Sequence, residues 1–321
     1  VLIIGSGQFA KEIAQELLQR PDRGFQIVGF IDEDPKKIGQ SVINPKVIGT
    51  LNQIPSIVEA YKIKKVILAL PERRGKLPLI SLLTCRTRGI EVMDGVSFYE
   101  SVTGKILIEE LRPSHLIFSK GFDRRKVTLW IKRILDLSCA TVGLVLAIPF
   151  FLIIPLLIKV DSPGPVFYRQ KRIGEGGKAF MPLKFRSMVT DAKSDSNPVW
   201  AKENDPRITR VGRILRKLRL DELPQLINVI KGEMSFIGPR PDIPYLRDQL
   251  QNLIPYYAVR YTIKPGVTGW AQVQSSYVSN VEEGMVRHQY DLYYIKNMSL
   301  ALDLKILFKT VQIVLFGRGA R

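Results

Sequence analysis

The chain has 321 residues, with 48 Lys and Arg against 30 Asp and Glu, a formal net charge of +18. Anionic partners are expected: lipid headgroups, phosphorylated substrates or nucleic acid. Two cysteines, Cys85 and Cys139, exclude a disulfide framework and a zinc cluster and suit a reducing compartment.

The length predicts two or three units. The first begins at once: Val1 to Ile4 is an apolar, strand-like run with neither Met nor a signal peptide, as expected for a segment of a longer protein. Gly5-Ser6-Gly7-Gln8-Phe9-Ala10 closes it, and Lys11 to Arg20 has helical spacing. A second strand, Gln26 to Ile31, ends in Asp32. Apolar runs at Lys65 to Leu70 and Ile90 to Met93, with helix-like segments near Pro55 to Tyr61 and Leu77 to Arg88, repeat the alternation. This predicts a small Rossmann-like parallel α/β domain over 1–105. Gly5 and Gly7 follow a strand and open a helix, so their backbone N–H groups suit a phosphate, and Asp32 suits a ribose hydroxyl. The domain is short for a full dinucleotide fold and shows no partner for hydride chemistry. A degenerate site, structural or regulatory, is the competing reading. Residues 106–126, with Pro113 and a basic cluster, read as a linker.

From Leu137 to Ile158 there are 22 residues without a charge. Pro149 and Pro155 interrupt them, so a helix here should bend near Pro149. Arg124, Arg125, Lys126, Lys132 and Arg133 precede the run, and Lys159, Arg169, Lys171 and Arg172 follow it. Positive flanks stay cytoplasmic, so a re-entrant membrane helix over 127–160 is expected, which enters and leaves by one face. A single span and a buried hairpin of a soluble core are the alternatives.

A second globular part, 161–321, is punctuated by Gly and Pro. Within it, the stretch Asn204 to Gln225 sets Asp221 and Glu222 after a file of cations that includes Arg213, Arg216 and Arg219. Pro224 suits the first turn of a helix through about Lys231, which puts both carboxylates near its N-terminus. There the helix dipole and the arginines should hold them anionic, and an anionic Asp is a nucleophile. Attack on a phosphate diester or pyrophosphate then needs a divalent metal and guanidinium groups to neutralise the phosphate oxygens. A helix cap with surface ion pairs is the plain alternative for the Asp-Glu pair alone. Tyr293 and Tyr294 read as packing. Met298 to Phe316 reads as a helix in the headgroup layer or in the core. His115 and His288 form no metal-ligand pair and read as structural or solvated.

From about Lys132 onward the chain resembles the bacterial sugar transferases, the polyprenyl-phosphate glycosylphosphotransferase (monotopic phosphoglycosyl transferase) family. The resemblance lies in Asp161-Ser-Pro-Gly-Pro-Val-Phe-Tyr-Arg-Gln170, Lys184-Phe-Arg-Ser-Met188, the Arg216 to Gln225 block, Gly232-Glu-Met-Ser-Phe-Ile-Gly-Pro-Arg-Pro241 and Lys264-Pro-Gly-Val-Thr-Gly-Trp-Ala-Gln-Val273. The α/β domain ahead of the apolar run resembles that of the long members, which usually begin with a bundle of membrane helices. The resemblance implies a mixed α+β catalytic domain over 161–321 with membrane-surface helices, on the cytoplasmic face of the bacterial inner membrane. It implies transfer of a sugar 1-phosphate from a UDP-sugar to a polyprenyl (undecaprenyl) phosphate, with release of UMP, as the start of an exopolysaccharide or other surface glycan.

Asp221 then matches the nucleophile that takes the phosphosugar covalently, and Glu222 its dyad partner, with Mg2+ held at Asp221 and Glu222. Arg216 matches the phosphate grip, Lys184 and Arg186 the basic pair, and Arg240 the Pro-Arg-Pro turn at the nucleotide end of the donor. Membrane lipids are implied partners, and a homo-oligomer is compatible. After Val273 the chain reads Gln274-Ser275-Ser276-Tyr277 where many members carry a Gly-Arg-Asn-like turn. Tyr290 to Asn297 and the tail from Val314 look closest to transferases of exosortase-linked exopolysaccharide systems. A nucleotide-sugar modifying oxidoreductase, run by the first domain, is the competing function. Nucleic acid is not an expected partner, because no aromatic-basic platform or helix-turn-helix pattern occurs.

Overall fold

The computed structural model describes residues 1–70, 77–111, 113–118, 121–122, 126–189, 205–275 and 280–315. Arg124, Arg125, Asn204, Ser276, Tyr277, the tail from Phe316 and the side chain of His115, all named above, lie outside the described residues. The chain divides into two compact units, Val1–Ser119 and Lys120–Arg321.

The first unit holds the four expected strands and adds β3, which the sequence pattern does not mark: β1 (Leu2–Ile4), α1 (Gln8–Leu18), β2 (Gly29–Asp32), β3 (Val47–Thr50), α2 (Ile54–Ala60), β4 (Lys65–Leu68), α3 (Leu79–Thr87), β5 (Glu91–Asp94), α4 (Gly95–Thr103) and α5 (Pro113–Phe118). The five strands form one parallel sheet in the order β3-β2-β1-β4-β5. Side chains on a strand alternate between faces. Ile3, Phe30 and Ile67 therefore enter one core with Phe9, Ile13 and Phe98, while Leu2, Ile4, Ile31 and Val66 enter the other with Ile54, Val58 and Leu82. β1 and β2 are buried on both faces, the pattern of a parallel sheet covered by helices. Ile106, Leu107 and Ile108, read from sequence as the start of a linker, are buried, with Leu107 in the first core. The packed unit thus runs past residue 105, because three consecutive apolar residues had a core to enter.

The second unit opens with α6 (Lys126–Asp161), 36 residues in which Pro149 and Pro155 both keep a helical assignment. It is long and apolar enough to cross a membrane. The unit continues with β6 (Phe167–Arg169), β7 (Arg172–Ile173), β8 (Ala179–Phe180), β9 (Leu183–Phe185), α7 (Arg210–Lys217), α8 (Gln225–Lys231), β10 (Ser235–Ile237), α9 (Pro244–Leu253), β11 (Gly266–Thr268), α10 (Trp270–Gln274), α11 (Val281–Lys296) and α12 (Leu300–Leu315). The strands pair only in twos: β6 with β9 and β7 with β8 antiparallel, β10 with β11 parallel.

One stripe of α6 is packed and the rest is not. Ala140, Ala147, Ile154 and Ile158 are buried, whereas Trp130, Leu146, Leu152, Leu156 and Val160 are exposed. Ala140 packs with Val229 and Met234, and Ile154 and Ile158 with Phe185 and Leu215. A Cβ on Gly143 would stand 3.1 Å from Leu226, so the small side chains let α6 and α8 approach closely. Polar ties fix both ends of the helix. Near its start, Lys132 Nζ pairs with Asp303 Oδ2 at 2.8 Å, Arg133 donates to the carbonyls of Val229 and Ile230 at 2.7 and 2.8 Å, and Asp136 Oδ1 accepts from Ser235 Oγ and Phe236 N at 3.1 and 3.0 Å. At its end, Asp161 Oδ2 accepts from Val211 N at 3.0 Å.

Tyr294 is packing, as expected, with its hydroxyl donating to Asp303 Oδ1 at 2.7 Å. α12 divides its faces, with Ile306 in the core and Leu304, Phe308, Val311 and Val314 exposed. It is therefore both a core helix and an apolar surface helix, where sequence offered the two as alternatives.

Candidate active site

Thr209 caps α7 by accepting from Gly212 N at 3.0 Å. Gly212 lies so close to β9's continuation that a Cβ would meet Ser187 O at 2.0 Å. α7 ends at Lys217, and Arg219, with φ +58°, takes the left-handed conformation that few non-glycine residues adopt. That reversal feeds a 3₁₀ turn, Leu220–Glu222, and Pro224 then caps α8. Leu220 and Leu223, on either side of the two carboxylates, pack against the Ile154–Ile158 end of α6. The Asp-Glu pair therefore lies in a turn pinned to the apolar helix.

Two residues distant in sequence meet at Glu222. Its Oε1 accepts from Lys184 Nζ at 2.6 Å and from Arg240 Nη2 at 3.4 Å. Lys184 stands on β9 opposite Tyr168 of β6. Asn228 of α8 holds that strand, since its Oδ1 accepts from Leu183 N at 2.9 Å while its Nδ2 donates to Met181 O at 3.1 Å and Glu233 Oε2 at 2.7 Å. Burial alone would raise the Glu222 carboxyl, but Lys184 and Arg240 outweigh it and hold the group well below the ordinary range. Glu222 is an anion fixed by two cations.

Asp221 differs. It is buried, its Oδ1 has no hydrogen-bond partner, and burial together with the Glu222 charge raises its pKa, against the pull of Lys184, Arg216 and Arg219. The dipole and arginines were expected to hold both carboxylates anionic; at Asp221 burial and the Glu222 charge act against them. The carboxylates precede a helix of only seven residues, and desolvation beside a fixed anion is the larger effect. An exposed cap with surface ion pairs is not what the turn presents.

Arg216 lies in the last turn of α7, within electrostatic reach of Asp221. Arg186 is not brought to the dyad. Its backbone N–H continues the pairing beyond β9, donating to Val166 O at 2.8 Å. The buried Arg186 guanidinium instead donates to the carbonyls of Pro163 and Ser162, both at 2.7 Å, at the end of α6, where it satisfies acceptors that a helix C-terminus leaves open.

Sequence reasoning missed the support beneath Arg240. Arg260 is buried and pairs with Asp242 Oδ2 at 2.7 Å and Asp291 Oδ2 at 2.9 Å, and it donates to the carbonyl of Arg240 itself at 3.0 Å. Tyr257 and Tyr261 donate to the same Asp242 oxygen at 3.1 and 2.9 Å. Segments far apart in the chain supply these groups, and no local spacing signals their meeting. His288 is buried against the Tyr257 ring, a structural position as expected.

Gly5, Gly7 and Asp32 of the first unit do come together, where β1 and β2 end side by side. A Cβ on Gly5 (φ +116°) would meet Ala69 O at 2.5 Å, so close packing alone requires that glycine. The Asp32 carboxylate is already engaged by Ser6, by Lys37 Nζ at 3.0 Å and by Asp34 N at 3.0 Å. The acceptor that a ribose would use is taken, which leaves the oxidoreductase reading without support.

Among the described residues no group of three or more His, Cys, Asp or Glu side chains could hold a metal. Mg2+ needs less, because it keeps several waters and draws further oxygens from substrate phosphates beside one or two carboxylates. Asp221 Oδ1, buried without a partner next to Glu222, is an oxygen donor of the kind a hard cation takes. The pair fits that ion.

Residues 127–317 match the bacterial sugar transferase family, and residues 1–77 match a family described as a CoA-binding domain. The UDP-N-acetylgalactosamine-undecaprenyl-phosphate N-acetylgalactosaminephosphotransferase of Aeromonas hydrophila is 40% identical over 240 residues, 75% of this chain and 56% of that protein. The undecaprenyl-phosphate glucose phosphotransferase of Komagataeibacter xylinus is 34% identical over 330 residues, 100% of this chain and 60% of that protein. The chain thus spans somewhat over half the length of these two relatives. The exopolysaccharide production protein PSS of Rhizobium leguminosarum bv. phaseoli is 42% identical over 188 residues, 57% of this chain but 94% of that protein.

Proposed function

The chain belongs to the bacterial sugar transferase family, and from that membership we propose that it moves a sugar 1-phosphate from a UDP-sugar to undecaprenyl phosphate through a covalent intermediate on Asp221. The observation that carries this reading is the contrast within the dyad. Glu222 is locked by Lys184 and Arg240, while its neighbour Asp221 has a buried oxygen with no partner. A structural ion pair needs no such oxygen; a nucleophile does.

In the first half-reaction an Asp221 carboxylate oxygen attacks the β-phosphorus of the UDP-sugar. The bond from that phosphorus to the bridging oxygen breaks, and UMP leaves with the oxygen and its electron pair. In the second, an oxygen of undecaprenyl phosphate attacks the same phosphorus, the Asp221–phosphorus bond breaks, and the carboxylate is restored as the polyprenyl-diphosphate sugar departs. Lys184 and Arg240 neutralise Glu222, so that the anionic donor approaches a site with less negative charge. Arg216 is within reach to balance phosphate charge beside Asp221. When bound at Asp221 and Glu222, Mg2+ supplies further neutralisation of phosphate oxygens.

A lipid acceptor must reach the same carboxylate from the bilayer. We read α6 as re-entrant and the dyad as lying at the cytoplasmic face of the inner membrane. Two features support this: polar groups of one unit hold both ends of the helix, and the dyad turn packs on its apolar side. A helix crossing the bilayer would have one of those ends on the far side. Purified chain, Mg2+, undecaprenyl phosphate and each of a panel of UDP-sugars are mixed and UMP is measured. One donor should yield UMP and, given alone, an adduct of sugar-phosphate mass on the protein. Asp221→Asn should yield neither, and turnover by that variant sinks the nucleophile.

A further inference from the structure

Arg260 is paired with Asp242 and Asp291, only its Nε lacking a hydrogen-bond partner, and Lys184 and Arg240 share Glu222. Arg287, beside them, has two buried guanidinium nitrogens that no acceptor meets. It sits on α11 one turn before Asp291, on the same face. Its Nε and Nη2 are buried and make no hydrogen bond. Arg240, Arg260, Asp242 and Asp291 are all within its electrostatic reach. Both carboxylates, however, are occupied by Arg260, and Asp242 also by Tyr257 and Tyr261. Buried N–H groups are almost always satisfied, and leaving those of a cation unmet is costly. A guanidinium presents its donors as a planar fork that matches two phosphate oxygens. An anion that arrives with the substrate would meet both needs.

We propose that Arg287, together with Arg240, binds the phosphate at the nucleotide end of the donor, the group that leaves as UMP; this rests on the UDP-sugar reading above. As the β-phosphorus to bridging-oxygen bond breaks, the electron pair moves onto the oxygen retained by UMP. Two guanidinium groups at that phosphate stabilise the charge as it forms. Arg287 thereby completes a clamp whose other arm is held in place through the Arg260–Arg240 carbonyl bond.

The test is calorimetric titration of the purified full chain with UMP, uridine and inorganic pyrophosphate, for the parent, Arg287→Met and Arg287→Lys. Arg287→Met should weaken UMP and pyrophosphate binding by roughly 10- to 100-fold, the scale of hydrogen bonds to a charged group. Uridine binding should hold, and Arg287→Lys should recover part of the loss. Unchanged UMP and pyrophosphate affinity in Arg287→Met overturns the proposal. So does an equal loss for UMP and uridine with a lowered unfolding temperature in both variants, which is what a residue that only balances Asp242 and Asp291 would give. If pyrophosphate binding depends on Arg287 but no UDP-sugar yields UMP, the anion site stands and the donor reading falls.

Discussion

Asn228 touches no reacting atom, yet it decides where Lys184 stands. Its side chain ties the start of β9 to α8, the helix that follows the dyad. Asn228→Ala leaves the partly buried Leu183 N–H without its acceptor, a loss of about 1–3 kcal/mol. The unfolding temperature should fall, and UMP release should drop more than tenfold as the Lys184–Glu222 contact loosens. Normal turnover in a destabilised variant would show that Lys184 is positioned otherwise. His288 acts on stability through protons. Burial, with Arg260 nearby, pushes its pKa down to about 3, against roughly 6.5 in an unfolded chain. Below about 6.5 the unfolded chain takes a proton that the folded chain refuses, so stability is full above that pH and is lost as pH falls toward 3, by up to about 1.4 kcal/mol per unit. Unfolding followed between pH 7.5 and 5 should show this slope, and His288→Phe should flatten it. At this scale the sequence marked Asp221, Glu222, Lys184 and Arg240, because each lies in a compact motif. Asn228, Arg260, Arg287 and Asp291 were not legible: each matters through a partner tens of residues away. Arg186 was placed beside Lys184 by resemblance to a basic pair, and a motif does not say that one of its two cations turns to the end of α6.

Elements were legible in proportion to the length of their pattern. The helix expected over 127–160 is found as Lys126–Asp161, since 22 uncharged residues leave little else to fold into. The repeated strand and helix runs marked the parallel α/β class of the first unit, but not β3, whose four residues lie at the sheet edge with no α-helix separating them from β2. The strands β6 to β11 are two or three residues each, too short for a period of two to appear, and two of them are tied to helices, β10 to α6 and β9 to α8. That dependence makes α6 a structural member of the second unit as well as an apolar surface. Asp136, an acidic residue buried on this helix, is the tie to β10. Asp136→Val strips the acceptor from Ser235 Oγ and the Phe236 N–H while leaving the exposed apolar face intact. It should lower the thermal stability of the second unit by about 1–3 kcal/mol without releasing the protein from membranes. If carbonate extraction frees the variant, the tie rather than the apolar face is the anchor.

At the scale of the whole molecule, the +18 charge announced anionic partners but did not choose among them. The choice came from where the cations are used. Lys184, Arg240 and Arg260 line or support one site, while Lys132 and Arg133 fasten a helix. The proposed chemistry is then confined to one of two units. Every residue of the first unit's two cores lies before residue 108, and every residue of the second unit's cores lies after residue 121. Among the described residues each unit thus has a core of its own, a condition for a unit that folds alone. The Rhizobium relative, aligned over nearly all of its own length by little more than half of this chain, is a polypeptide close in size to the second unit. A chain restricted to 120–321 retains the dyad, Lys184, Arg240, Arg287 and α6. It should bind membranes and release UMP from the matching UDP-sugar within about tenfold of the full chain's rate, since no group in the proposed chemistry is removed. Folded, membrane-bound 120–321 with no UMP release would mean that the first unit contributes to the chemistry itself, and the Asp32 region, with its engaged carboxylate, would be the place to look.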